Sequence, residues 1–347
     1  MSETQHTTLY RTYRPTIFAE MKGQEHIVEA LEQSIKSGKI AHAYLFSGGR
    51  GTGKTTAARI LAKALGVTDK DIIEMDAASN RGIDDIRELR EGVWVRPFES
   101  RYKLYIIDEA HMLTKEAWNA LLKTLEEPPS HVVFVLATTE LDKVPDTIQS
   151  RCEMYIFRQP SRELLLQTVL RVSKQEGFEL EPAGAELIAL LAEGSFRDAL
   201  SILQKVLGSA TTKQISVAHI ENMTSAPRGE LVRQFVQAIG ENNTTQSLAT
   251  IQTAVKENIE MRTFTKLIIH RLRVILLIRF APDLASELGA ELSEADVTLV
   301  TAMSKSKSIT SDTLRFILEA HGQMAYASIP HLPLELAIMD LSSKTLN

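Results

Sequence analysis

"GGRGTGKT", residues 48–55, decides the fold of this chain. It fits the pattern G-x-x-x-x-G-K-[ST]. An apolar run, AYLF at 43–46, comes before it. After it, TTAARILAKAL at 55–65 places Ala58, Leu61, Ala62 and Leu65 on one helical face. Strand, glycine loop and helix is the context the motif needs. The glycines let backbone N–H groups close on phosphate oxygens, and the helix N-terminus adds positive potential there. Lys54 then supplies a charge for the β- and γ-phosphates, and Thr55 a hydroxyl for Mg²⁺. The bland alternative is a glycine loop with an incidental Lys-Thr, and the joint match of pattern and context argues against it. The residues expected to hold the nucleotide are Gly48, Gly49, Arg50, Gly51, Thr52, Gly53, Lys54, Thr55 and Thr56.

Working outward, YIIDEAH at 105–111 is the partner such a loop requires. Asp108, at the end of a neighbouring strand, is placed to serve the metal, mostly through water. Glu109 can orient or deprotonate an attacking water. Both acids could instead be simple caps of the next helix. DIIEMD at 71–76, KLYIID at 103–108 and HVVFVLAT at 131–138 read as strands buried on both faces. Between the last two, TKEAWNALLKTLEEPP reads as a helix capped by Thr114 and stopped by Pro128 and Pro129, with Ala117, Leu121, Leu122 and Leu125 inward. This alternation predicts a parallel sheet with helices on both faces.

Beyond about residue 160 the strand patterns end. SRELLLQTVLRVSKQEG, EPAGAELIALLAEGS and FRDALSILQKVLG predict a small helical domain closing near Gly208. From about 226 onward the patterns are long helices, among them MRTFTKLIIHRLRVILLIRF. The predicted division is 1–160 α/β, 161–208 all-α and 209–347 all-α.

The net charge of -5 gives no basic footprint, so any nucleic-acid binding must come from local groups. One cysteine, Cys152, excludes an intrachain disulfide and a cysteine-based zinc site. It reads as a small packed hydrophobe. The polar start MSETQHTTLYRTYRP lacks a signal-peptide core, and apolar runs such as VILLI at 274–278 are too short to span a bilayer. A cytoplasmic chain without membrane contact is expected.

LYRTYRPTIFAEMKGQEHIVEAL, HAYLFSGGRGTGKTT, DAASNRGIDDIREL, IIDEAHMLTKEAWNALLKTLEEPP, VLATTELDKVPDTIQSRC, GSFRDALSILQ and LPLELAIMDL occur in that order. Together they closely resemble the gamma/tau subunits of bacterial DNA polymerase III, the ATPases of the sliding-clamp loader. The match is specific over 9–208 and looser but collinear from 209 to 340. The resemblance implies an AAA+ fold: a P-loop NTPase domain, a helical lid and a C-terminal helical collar for oligomerisation. It implies ATP and Mg²⁺, and an ATPase within a DNA-directed DNA polymerase holoenzyme. The implied partners are delta and delta-prime subunits and further copies of the chain in a pentamer, with the beta sliding clamp and primer-template DNA. ATP binding would open the clamp, and hydrolysis would release it on DNA.

The resemblance also assigns single residues. Arg151 of Ser-Arg-Cys reaches the neighbouring subunit's ATP as an arginine finger, which would explain an arginine needing no partner in its own chain. Its bland reading is a solvated arginine at a strand start. Thr138 looks like the sensor of the γ-phosphate or the water, and Arg197 like the second sensor, on the lid. Tyr13, Arg14 and Pro15 resemble the segment packed along the adenine. Ser79, Asn80 and Arg81 stand before a helix that carries Arg87, and these donors suit a DNA phosphate backbone. A capped surface helix whose arginine pairs with a nearby Asp is the competing reading. Lys305 and Lys307 read as a solvated loop.

Two departures stand out. Family members commonly insert a four-cysteine zinc module between Leu65 and Asp71, where this chain has only GVTDK, so no zinc is expected there. The chain also stops after the collar, like the short gamma form or a truncated chain. Three further readings compete: another AAA+ DNA motor, such as a branch-migration or fork-remodelling ATPase; a delta-prime-like assembly subunit without productive ATP binding; and a protein unfoldase. The collar and DAASNRG argue against the first, the intact Lys54, Thr55, Asp108 and Glu109 against the second, and the lack of an aromatic-hydrophobic-Gly pore segment against the third.

Overall fold

The computed structural model describes residues 8–80, 82–224, 226–282 and 294–345. The chain falls into two compact units. One holds the residues up to Thr168 together with Ala192–Ser201; the other holds Val169–Leu191 and the residues from Ile202 on. The stretch read as a lid, 161–208, contributes to both.

The first unit is built on five parallel strands: β1 (Ala43–Gly48), β2 (Ile72–Asp76), β3 (Lys103–Asp108), β4 (Val132–Thr138) and β5 (Glu153–Phe157). Their order is β2-β3-β4-β1-β5. Alternate residues feed two cores, because successive side chains of a strand point to opposite faces. Tyr44, Phe46, Leu104, Ile106, Val133 and Val135 join Ala57, Ala58 and Leu61 on one face. Leu45, Tyr105, Ile107, Phe134 and Leu136 join Ala117, Trp118 and Leu121 on the other. β1, β3 and β4 are thus buried on both faces, as their continuous apolar runs predict. β2 departs from that expectation: Ile72, Ile73 and Met75 are only partly buried. The reason is its place at the sheet edge, where one flank has no strand to pack beside.

The helices of this unit are α1 (Leu9–Thr12), α2 (Glu25–Ser37), α3 (Lys54–Ala64), α4 (Ile83–Val93), α5 (Lys115–Glu126) and α6 (Asp146–Gln149). α5 starts as expected: the Thr114 hydroxyl accepts from the Ala117 N–H at 3.2 Å. The short connection in place of a zinc module is organised by Asp71. Its buried carboxylate accepts from the N–H groups of Phe98, Glu99 (3.0 Å) and Ser100 (2.8 Å). Burial pushes this carboxyl up, but the amides of Glu99 and Phe98 and the Ser100 groups outweigh it and hold it well below the usual carboxylate range. The segment it anchors exposes Trp94, Val95 and Phe98.

α7 (Arg162–Gln175), α8 (Pro182–Leu191) and α9 (Phe196–Gly208) follow. The second unit continues with α10 (Val217–Thr224), α11 (Gly229–Gly240), α12 (Thr244–Lys256), α13 (Met261–Phe280), α14 (Glu294–Met303), α15 (Ser311–Gln323) and α16 (Leu332–Thr345). Its core gathers Phe235, Ile251, Phe264, Ile268, Leu272, Ile275, Val300, Ile317 and Leu334. Between α9 and α10, Gln214–Ile215 pairs in parallel with Glu179–Leu180. Lys305 and Lys307 follow α14 in a turn region, as read. No described helix is long and apolar enough to cross a membrane.

Candidate nucleotide-binding site

The phosphate loop leaves the C-terminal end of β1, inside the sheet, and enters α3. Gly51 (φ 69°) and Gly53 (φ 103°) take the left-handed backbone that turns the loop, a conformation that costs other residues about 1–2 kcal/mol. Gly48 ends β1 so close to β5 that a Cβ there would collide with the Phe157 carbonyl. Arg50 is exposed and Thr52 buried, with the Thr52 hydroxyl donating to the Gly49 carbonyl at 2.9 Å. Lys54 folds back over the loop and donates to the Gly48 (2.8 Å) and Gly49 (2.9 Å) carbonyls. Its ammonium is buried, and burial lowers its pKa against the opposing pull of Glu109 and Asp108. A buried cation satisfied only by neutral carbonyls suits an anion arriving in the loop.

The two acids stand where β3 ends. The Thr55 hydroxyl donates to Asp108 Oδ2 at 2.7 Å. That pair presents hydroxyl and carboxylate oxygens together, the donor chemistry a hard divalent cation prefers, so these residues fit Mg²⁺. Asp108 Oδ1 accepts the Glu109 N–H at 3.0 Å. Glu109 itself is left-handed (φ 48°, ψ 43°), an uncommon state for a non-glycine residue. Its carboxylate accepts from the Thr139 hydroxyl at 3.2 Å. Thr138, fully buried at the end of β4, places its hydroxyl 3.1 Å from His111 Nδ1. His111 also lies 3.5 Å from Glu109 Oε2 and 3.2 Å from Glu140 Oε1. Sequence reasoning passed over His111. The signal was its place in the same DEAH stretch as the acids, but which side chains it meets depends on β4.

Arg197 sits in the first turn of α9 and comes to the loop through its neighbours. The Phe196 N–H donates to the Gly51 carbonyl at 3.2 Å. Ser195 lies so close that a Cβ on Gly51 would strike its hydroxyl. The Arg197 guanidinium covers the Tyr10 ring at 5.0 Å. Arg14 donates through Nε to the Thr56 hydroxyl at 2.9 Å, so the Tyr13, Arg14 and Pro15 segment reaches the first turn of α3. The structure thus brings together Lys54, Thr55, Asp108, Glu109 and Thr138, with Arg197 and Arg14 tied to the loop and to α3.

Arg151 follows α6 and stands apart from that group. It corrects one expectation: it does have an acidic partner in its own chain, Glu126, at 2.7 Å, and it also donates to the Thr147 carbonyl. Glu126 comes from the end of α5, 25 residues earlier in the chain and outside any local window around Arg151. Of the residues read as DNA contacts, Ser79 and Asn80 lie in a turn whose N–H groups both donate to the Asp76 carbonyl. Arg81 lies outside the described residues. Arg87 pairs with Asp84 at 3.0 Å, and Asp85 accepts the Gly82 N–H at the start of α4. Cys152 is partly buried in the α5-side core, and burial pushes its thiol up to about 12.

A phosphate loop at the end of an internal parallel strand, with an acid pair on a nearby strand, defines the P-loop nucleotide-binding class of fold. The fold agrees: the structure of the Thermotoga maritima RuvB Holliday junction branch migration motor is similar with a TM-score of 0.53 at 23% identity, covering 65% of this chain and 79% of that one. A family model described as "DNA polymerase III, delta subunit" matches residues 23–80 and 67–161. One described as "DNA polymerase III clamp loader subunit, ATPase lid domain" matches 166–209. DNA polymerase III subunit tau of Bacillus subtilis is 35% identical over 96% of this chain and 62% of its own length. Subunit gamma/tau of Mycobacterium tuberculosis is 34% identical over 94% and 61%, and subunit tau of Escherichia coli is 36% identical over 84% and 47%. The chain belongs to the gamma/tau subunit family of DNA polymerase III. It spans about three fifths of the length of the first of these relatives.

Proposed function

We propose that this chain is the ATP-hydrolysing motor subunit of a sliding-clamp loader. One observation carries the reading: a buried Lys54, a Thr55–Asp108 pair and Glu109 stand together at the mouth of the phosphate loop. A purely structural subunit has no use for that set. The delta-subunit label of one matching family model does not alter this, because the loop and acids here are complete.

ATP binds with its phosphates in the loop, where Lys54 exchanges the Gly48 and Gly49 carbonyls for phosphate oxygens. Thr55 and, through water, Asp108 would hold Mg²⁺, which supplies charge neutralisation for the β- and γ-phosphates. Glu109 orients the attacking water and holds its proton. The Thr138 hydroxyl reads the γ-phosphate, and Arg197 carries that reading to the lid, residues 161–208. Tyr13, Arg14 and Pro15 line the adenine side. Arg151 completes the site of the adjacent subunit, leaving Glu126 for the phosphate charge. Residues 209–347 form the collar that joins copies of the chain to delta and delta-prime subunits in a pentamer. ATP binding opens the beta clamp, and hydrolysis on primer-template DNA releases it, in the cytoplasm. Ser79, Asn80, Arg81 and Arg87 follow the DNA backbone, with Arg87 exchanging Asp84 for phosphate.

The test is steady-state ATP hydrolysis with delta and delta-prime subunits of the same source, with and without clamp and primed DNA. Stimulation by clamp and DNA, lost in Arg151→Ala while ATP still binds, is expected. Full-rate hydrolysis by a strictly monomeric chain, indifferent to clamp and to Arg151, would overturn the reading.

A further inference from the structure

His111 is surrounded by the groups that carry the proposed hydrolysis, yet no role falls to it in that scheme. It lies on the turn Ala110–Met112 directly after β3, with its side chain only 7% exposed. Each ring nitrogen faces a carboxylate oxygen. Nδ1 is 3.5 Å from Glu109 Oε2, and Nε2 is 3.2 Å from Glu140 Oε1. Nδ1 is also 3.1 Å from the Thr138 hydroxyl. Glu140 is held from outside by Lys143 at 2.8 Å. One imidazole therefore touches the last residue of β4, the acid beyond β3 and the loop that follows β4.

The proton count gives this contact a consequence. A threonine hydroxyl has one proton to donate. The Thr138 oxygen already accepts the Glu140 N–H at 3.0 Å and stands 3.2 Å from the Glu140 carbonyl, to which it donates. An imidazole donating from Nδ1 leaves that single proton free for Glu140 or for a phosphate oxygen. An imidazole bare at Nδ1 would consume it. Glu109, in its left-handed turn, accepts from the Thr139 hydroxyl through Oε2, and His111 Nδ1 stands 3.5 Å from that same oxygen. Removing the ring would take away the side chain that lies against both this oxygen and the Thr138 hydroxyl.

We infer that His111 is a positioning residue for hydrolysis: its Nδ1–H ties the Glu109 carboxylate to the Thr138 hydroxyl, so that the water-orienting acid and the phosphate-reading hydroxyl are set as one unit. Glu140 Oε1 borders the ring on the opposite side, 3.2 Å from Nε2. The inference rests on the proposed roles of Glu109 and Thr138. It assigns His111 no contact with the nucleotide, so its loss acts on turnover and not on binding.

The experiment compares His111→Ala, His111→Gln and His111→Asn in the assembled complex with delta and delta-prime subunits. Binding is read with a fluorescent ATP analogue, and turnover with clamp and primed DNA present. Asn can place a donor near the position of Nδ1; Gln places one nearer Nε2. Expected are analogue affinities close to wild type, a fall in kcat of roughly 10–100-fold for Ala and Gln, as for supporting partners of ligating groups, and substantial recovery in Asn. In a Glu109→Gln background, His111→Ala should lower kcat no further. Wild-type kcat in His111→Ala, or a loss that multiplies with that of Glu109→Gln, would overturn the inference alone. If Ala melts early, Asn against Gln decides the matter: equal losses overturn the inference. A wild-type complex whose hydrolysis does not depend on Lys54 would overturn the proposed function and this inference with it.

Discussion

Arg151 and Glu126 form an ion pair within one chain, 2.7 Å between Nη2 and Oε1, linking the end of α5 to the residue after Ser150. Both side chains are substantially exposed, so solvent screening leaves such a pair worth only about 0–1 kcal/mol. That is a partner an arginine can surrender. Arg151→Ala should therefore barely move the melting temperature of the chain, while hydrolysis by the assembled complex falls by roughly 10³-fold or more. Glu126→Gln should leave the complex at or above wild-type turnover. Differential scanning fluorimetry and a coupled ATPase assay check the two halves.

Glu109 and Lys54 separate binding from chemistry. Glu109→Gln should keep ATP affinity while turnover drops by about 10²–10⁴-fold, the range for a lost proton acceptor. Lys54→Ala should lose affinity itself, since nothing else on the loop carries a buried positive charge. Equilibrium binding beside single-turnover hydrolysis distinguishes the two.

Gly51 is wedged against the segment that carries Arg197. Gly51→Ala adds a Cβ where the Ser195 hydroxyl sits, on a backbone with φ 69°. The strain alone is about 1–2 kcal/mol, and relieving the clash means moving Ser195. Loss of nucleotide affinity with little loss of helix content is expected, by analogue titration and circular dichroism.

Asp71 makes a pH prediction. Its carboxyl is depressed in the folded chain, so the unfolded chain binds the extra proton first. Its stabilisation is complete above the unfolded carboxyl pKa of about 3.9 and is lost as pH falls through the folded value. Asp71→Asn should cost roughly 1–3 kcal/mol at neutral pH and flatten the acid limb of a stability-against-pH curve. Urea melts from pH 7 downward test this.

Whatever rests on local pattern was legible. The glycine loop announced β1 and α3, the acids announced the end of β3, and the Thr114 cap announced α5. Glycine-punctuated helical spacing located the helices after 160. What escaped was pairing across the chain. Arg151 meets Glu126, His111 meets Thr138 and Glu140, and Asp71 meets Phe98 to Ser100, each through strand order that no local window contains. β2 looked like an inner strand from Ile72, Ile73 and Met75, although Glu74 breaks an apolar run that is continuous in β3 and β4. Only its place at the edge explains its exposure. Arg87 could not be decided either way, since a spacing of three from Asp84 on a helix permits both a surface pair and a ligand-ready side chain.

β5 begins two residues after Arg151 and lies in register beside β1, with Glu153 against Tyr44 and Phe157 against Gly48. Strands so paired leave no room between Gly48 and Phe157 for even a methyl group. At one end of the pair is the glycine where the phosphate loop starts; the other end leads to Arg151. With Arg151 in the role proposed above, the load path from a chain's own nucleotide to its neighbour's would be a single strand long.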